Sequence, residues 1–287
     1  MAPLNEVKFI KGHGTGNDFL IIPDIDGLLD LTAEQVRFLC DRRKGIGADG
    51  VLRVVRTKHL PEFIDQSAGA EFFMDYRNAD GSLAEMCGNG ARVFVRYLDA
   101  TGLITDSEVN IATRGGLFPV TMNSDLSVTI DMGRASSRAA TGVLAVTVEA
   151  RTWPFVPVLV PNPHAVVFVD ALADAGALLV APEVTPGSTF PDGVNVEFVV
   201  EVAAGHVAMR VFERGVGETQ SCGTGACAVA WVNARRAGEP VLPLTTTVDV
   251  SGGTVYVTET AEGHLLLTGP ADLVARGTAL LPQGRCG

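Results

Sequence analysis

Apolar positions in this chain fall mostly in short runs of strand length, and three stretches carry helical character instead. Val7-Lys8-Phe9-Ile10 and Phe19-Leu20-Ile21-Ile22 read as strands on either side of a glycine-rich loop at residues 12–18. The first helix starts after Thr32. Thr32 and Gln35 have the spacing of a capping box, and Leu31 and Val36 that of a hydrophobic staple. Val36, Leu39 and Cys40 keep helical spacing, Arg42-Arg43-Lys44 suit the C-terminal dipole, and Gly45 can end the helix. Gly45-Ile46-Gly47-Ala48-Asp49-Gly50 has the glycine spacing of a dinucleotide-binding turn. It fails that reading because the order here is helix, glycines, then the strand-like Val51-Leu52-Arg53-Val54-Val55.

The other two helices open on one repeated phrase. Residues 86–91 read Met-Cys-Gly-Asn-Gly-Ala and residues 221–226 read Ser-Cys-Gly-Thr-Gly-Ala. Upstream of Cys87, Phe72, Met74 and Tyr76 alternate. Val207, Met209 and Val211 stand at the same distances before Cys222. After Cys87, the residues Ala91, Phe94, Val95 and Leu98 form an apolar stripe at i, i+3, i+4 and i+7. From Ala226 to Val232 the chain is apolar nearly all round, the pattern of a buried helix. Further β-like runs occupy 127–131, 143–148, 156–160, 165–169, 245–250, 254–259 and 265–268. The expected fold is therefore α/β in the α+β sense. Two pseudo-symmetric halves each wrap a strongly curved, mostly antiparallel sheet around a central helix. Residues 1–132 form the half with Cys87 and 133–275 the half with Cys222, with a hinge in the Ser-, Ala- and Arg-rich segment 133–142.

Composition narrows the function. The 287 residues are 47% hydrophobic and 19% charged, which can fill a core. A net charge of −11 argues against broad nucleic-acid binding, which needs a basic footprint, yet leaves room for an anionic substrate in a locally positive pocket. The N-terminus lacks the apolar stretch of a signal peptide, and no run reaches the ~18–20 residues of a membrane span. Five cysteines make a poor disulfide framework, so reduced thiols and a cytoplasmic location are expected.

The repeated phrase is where the chemistry concentrates. One cysteine alone reads as a small buried hydrophobe. Two in duplicated context, each before Gly-x-Gly-Ala, read as thiols at helix N-termini. There the dipole favours thiolate and free N–H groups can hold a carboxylate. No metal is expected, because Cys222 and Cys227 lie five residues apart on a helix, off a common face. Cys40, Cys227 and Cys286 read as structural. Asn17, Asn78, Asn162 and Asn195 sit near Gly or Pro, where asparagine serves turns. Their amides also suit recognition of an amino-acid zwitterion. Arg214 can fork onto a carboxylate while Glu213 meets an ammonium, and His164 can tune a nearby thiol. A redox-responsive binding protein with a Cys87–Cys222 disulfide remains a rival reading.

The phrases His13-Gly14-Thr15-Gly16-Asn17-Asp18-Phe19, residues 45–50, Asn78-Ala79-Asp80-Gly81-Ser82, residues 86–92, Asn162-Pro163-His164, and Glu213 to Ala226 occur in an order that resembles diaminopimelate epimerases over essentially the full length. The resemblance implies a cofactor-independent two-base epimerase converting LL- to meso-diaminopimelate, a homodimer, with its active site in a cleft between domains. It implies catalytic Cys87 and Cys222, and carboxylate-holding Gly88 with Asn89 and Gly223 with Thr224. It assigns substrate contacts to Asn17, Asn78, Asn162, Asn195, Glu213 and Arg214, and thiol tuning to His164 and Glu213. In the LL-to-meso direction it makes Cys222 the proton acceptor and Cys87 the donor. It also implies that residues 276–287 return to the first domain, with a strand at 277–282. The chain departs from the family at Gly50, where many members carry Gln; a proline or hydroxyproline racemase is the rival within the same fold.

Overall fold

The structure, a computed structural model, describes residues 6–139 and 142–282. Cys286 and part of the 133–142 segment lie outside the described residues. The chain divides into two compact units, Met1–Ile130 with Pro270–Gly287, and Asp131–Gly269.

In the first unit, strand Glu6–Gly14 lies between strands Asp272–Leu280 and Asn17–Pro23, antiparallel to both. Asn17–Pro23 runs parallel to Gly50–Arg56, which is antiparallel to Phe72–Asn78. The glycine-rich stretch at 12–18 is less loop than expected. Strand pairing continues to Gly14 and resumes at Asn17, so only Thr15 and Gly16 turn, both at positive φ. Gly12 and Gly14 serve close packing instead: a Cβ at Gly12 would stand 2.9 Å from Val93, and one at Gly14 2.9 Å from the Arg92 guanidinium.

Helix α1, Ala33–Cys40, carries the complete capping box of Thr32 and Gln35, and Leu31 and Val36 share one buried cluster. The helix ends earlier than its charges suggest. Asp41 is the C-cap, and its carboxylate accepts from the Arg43 and Lys44 N–H groups, turning those basic residues out of the helix.

Helix α2, Gly88–Ala100, packs against strands of its own unit on several sides. The apolar stripe Ala91, Phe94, Val95 and Leu98 is buried, as expected, but so are Val93 and Arg92. The sheet encloses the helix rather than covering one face. Each large apolar side chain so enclosed contributes about 1.5–3 kcal/mol. Arg92 is accommodated by donating to the Pro270 carbonyl and the Thr15 hydroxyl.

The second unit repeats this plan. Strand Asn162–Phe168 runs parallel to Asn195–Ala203, which is antiparallel to His206–Glu213. A meander of Leu244–Val250, Gly253–Glu259 and His264–Gly269 extends the sheet. Helix α3, Gly223–Arg235, is enclosed by these strands, with Ala226 to Ala230 and Val232 all buried. Ser136 and Ser137, inside the expected hinge, pair with Leu159 and Val158. Among the described residues the longest helices have 13 residues, and none is long and apolar enough to cross a membrane.

The register makes the duplication specific. Phe19 faces Gly50 and Gly50 faces Asn78 in the first unit. His164 faces Asn195 in the second, with Val196 opposite Phe212 one step from Asn195 and Glu213. Phe19 and His164 are thus equivalent, as are Gly50 and Asn195, Leu52 and Glu197, and Asn78 and Glu213.

Candidate functional site

Cys87 and Cys222 occupy the same position, the N-cap, of α2 and α3. Each is extended in backbone, and each sulfur accepts from an N–H of the first helical turn, Gly90 or Gly225, at 3.4 Å. A cysteine in the N-cap role puts its sulfur where Ser or Asp normally satisfies the free N–H groups, and the neighbouring groups of that turn stay available for an anion.

Near Cys87 stand two amides. Its Sγ donates to Asn17 Oδ1 at 3.8 Å, and Asn89 Nδ2 donates to the same oxygen at 3.1 Å. The other end of the Asn17 amide donates to Asp49 Oδ2 at 2.8 Å. A carboxylate only accepts, so Asp49 fixes which end of Asn17 faces the thiol. Arg42 in turn bridges Asp49 and Asp18. Burial raises the Asp18 carboxyl, yet the Arg42 and Lys11 contacts outweigh it and bring Asp18 down to about 2. Asn78, facing Gly50 at the strand end, donates to Ser82 Oγ at 3.0 Å. Gly50 has no room for a side chain: a Cβ there would meet the Arg77 carbonyl at 2.7 Å and the Tyr76 ring at 2.8 Å.

Around Cys222 the partners are ionisable. His164 Nδ1 lies 2.6 Å from Glu197 Oε1, and its Nε2 lies 2.9 Å from Asn162 Oδ1. Glu213 accepts from the Thr219 hydroxyl at 2.5 Å and shares a hydrogen bond with Cys222. Burial pushes the Glu213 carboxyl above the usual carboxylate range, against the pull of those two bonds. Thr224 Oγ1 lies 3.4 Å from Cys222 Sγ. The Asn195 side chain accepts from the Arg214 N–H at 2.9 Å, and the Arg214 guanidinium donates to the Asp192 carbonyl at 3.1 Å.

A helix N-terminus was expected to make these thiols acidic, and at Cys222 the opposite holds. Burial pushes the thiol well above its ordinary value, Glu213 and Glu197 add to the effect, and the contacts with Thr224 and Gly225 only partly offset it. Loss of water and two nearby carboxylates outweigh one helix end. Cys40 is likewise pushed up, to about 12, mainly by burial. The four described cysteines are free thiols.

Of the residues singled out in the sequence, the structure brings Glu213 to Cys222, Asn162 to His164, and Asn17 to Cys87 and Asn89. They missed Asp49 and Glu197. Glu197 left a signal: it is the lone acid in the apolar run Val194 to Val200, and a fully buried Glu is rare without a partner.

Comparison with known proteins adds the final observations. The sequence profile of the family described as diaminopimelate epimerase matches residues 9–137 and 157–274. Diaminopimelate epimerase of Streptomyces coelicolor is 54% identical over 275 residues, covering 94% of each chain. Among solved structures, a phenazine biosynthesis protein of the PhzF family from Bacillus anthracis aligns with a TM-score of 0.70 at 17% identity, over 97% of this chain and 100% of that one. A hydroxyproline epimerase from Agrobacterium vitis, with bound trans-4-hydroxy-L-proline, aligns with a TM-score of 0.64 at 18% identity, over 97% and 94%. At these identities the two structures share the fold.

Proposed function

Since the chain belongs to the diaminopimelate epimerase family, we propose that it interconverts LL- and meso-diaminopimelate by moving one α-proton between Cys87 and Cys222. The observation that carries this reading is the repeated N-cap cysteine, each thiol bonded to the third N–H of its own helix. The product serves lysine and cell-wall precursor synthesis. The protein acts in the cytoplasm, as a homodimer, without pyridoxal phosphate.

The substrate α-carboxylate is held by the free N–H groups of Gly88 and Asn89 and of Gly223 and Thr224. Charge that develops there as the α-proton leaves is stabilised by these helix N-terminal N–H groups. One sulfur takes the proton as a thiolate while the other, a thiol, delivers a proton to the opposite face, and the centre inverts. The roles exchange in the reverse direction. Cys222 is held as a thiol by burial and by Glu213 and Glu197. To act as the acceptor in the LL-to-meso direction, with Cys87 as donor, it must first give that proton up. The substrate ammonium, entering beside Glu213, supplies the positive charge that favours this. Asn17, Asn78, Asn162, Asn195 and Arg214 bind the distal amino-acid group. That group separates diaminopimelate from proline, because a site built to pair it leaves buried polar groups unpaired when it is missing.

The test is a direct assay of reduced protein, without added cofactor, on LL-diaminopimelate and on L-proline. Formation of meso-diaminopimelate with no racemisation of proline is expected. Racemisation of proline alone would move the chain to the racemase branch of the fold. Binding of diaminopimelate without any turnover would favour the redox-binding reading.

A further inference from the structure

The two units offer an internal comparison. Their strands pair in matching register, so positions near one thiol have counterparts near the other. In the first unit, a Cβ placed on Gly90 meets Leu52, Cys87 and Phe19. In the second, a Cβ on the matching Gly225 meets Glu197 Oε1 at 2.8 Å and Cys222 at 3.3 Å. Glu197 thus fills the place of Leu52, and His164 that of Phe19. An apolar pair beside one thiol has become a carboxylate–imidazole pair beside the other.

That exchange is unfavourable for stability. Glu197 and His164 are both 0% exposed, and a buried ion pair recovers its desolvation cost only with excellent geometry and full hydrogen bonding. Here the bonding is incomplete: Glu197 Oε2 is buried with no hydrogen-bond partner among the described residues. Leucine fills the equivalent volume in the first unit without that penalty. A carboxylate kept here against stability, with one oxygen reserved for His164, points to chemistry.

The Nδ1···Oε1 distance of 2.6 Å is that of a charge-assisted bond. Nε2 lies 2.9 Å from the Asn162 side-chain amide. Ring orientation and tautomer are both fixed from the carboxylate side, as a carboxylate fixes a catalytic histidine elsewhere. The titratable groups around Glu197 are His164 on strand Asn162–Phe168, Glu213 on strand His206–Glu213 and Cys222 at the head of α3.

We propose that Glu197 is a positioning residue for the proton transfer at Cys222, acting through the His164 ring that it orients. The proposal rests on the two-thiol reading above. Glu197→Gln keeps the size of the side chain and removes its charge. Proton NMR of the native protein should show a far-downfield His164 Nδ1–H signal from the short bond, absent in Glu197→Gln. With LL-diaminopimelate, kcat should fall about tenfold or more while KM stays within twofold. A purely structural Glu197 would lower the melting temperature and leave kcat and the imidazole signal as they are, which would overturn the proposal. Should Glu197→Gln not fold, Glu197→Asp reads the same property: its carboxylate stands one methylene short, so the downfield signal should move upfield and kcat fall. An unchanged signal or an unchanged kcat there also overturns it. The NMR measurement needs no substrate, so a native protein that shows the signal yet is inactive on diaminopimelate would overturn the two-thiol reading and the positioning role with it, whereas an active native protein without the signal would overturn the positioning role alone.

Discussion

At the residue scale, the two thiols share a position and differ in what surrounds them. Cys87 faces the amides of Asn17 and Asn89, whereas Cys222 faces Glu213, Glu197 and Thr224. Glu213 bears the energetic cost most visibly, because burial raises its carboxyl above the ordinary range. The sign follows from linkage. Between its ordinary value and the raised one, the folded protein binds the Glu213 proton more tightly than the unfolded chain does. The Glu213 contribution to stability is therefore fullest below pH about 4 and declines as pH rises through that window. Glu213→Gln has no such proton. Thermal melts should show the variant and the native protein alike near pH about 4, with the variant gaining the advantage as pH increases toward 8. An advantage that does not change with pH would show that Glu213 is not held above its ordinary range. The residue pattern was partly legible in sequence. The duplicated Cys-Gly-x-Gly-Ala phrase located both N-caps, but the acidity of Cys222 was read with the wrong sign. A helix end is local and visible in sequence, whereas the burial and the Glu197 carboxylate that oppose it come from strands distant along the chain.

At the element scale, the start of each central helix carries a glycine three residues after the cysteine, and the two positions are not equally demanding. A Cβ on Gly90 would lie 3.2 Å from the flexible end of Leu52. A Cβ on Gly225 would lie 2.8 Å from the Glu197 carboxylate, which is pinned by His164 and has nowhere to move. Alanine gains up to about 1 kcal/mol of helix propensity over glycine, while overpacking a rigid site costs roughly 1–3 kcal/mol. Gly225→Ala should thus destabilise in urea unfolding, and Gly90→Ala should be close to neutral. Equal effects of the two would mean that the Glu197 carboxylate gives way freely. The capping box of α1 and the burial of α3 were readable from sequence because both depend on neighbouring residues. The stripe on α2 understated its burial, since Arg92 is enclosed through contacts with Thr15 and Pro270 that no helical period reveals. Strand Asn195–Ala203, which carries Glu197, was not recognised as an element because its apolar run is continuous, without the alternation of a half-covered strand.

At the scale of the whole molecule, one plan is used twice and altered once. Two sheets of the same register each enclose a helix headed by a cysteine, and the second carries a buried glutamate–histidine pair where the first has Leu52 and Phe19. Repetition of the plan was visible in the spacing of alternating residues before each cysteine. The alteration was not, because it appears only when Leu52 and Glu197 are matched through strand register. The central claim is that both thiols are needed to move one α-proton, and it is tested most directly by following LL-diaminopimelate by proton NMR in D2O with the native protein, Cys87→Ala and Cys222→Ala. The native protein should replace one α-proton by deuterium as meso-diaminopimelate forms, and each variant should lose epimerisation by at least about a thousandfold, as expected when a catalytic acid or base is removed. Epimerisation at the native rate by either variant would contradict the account.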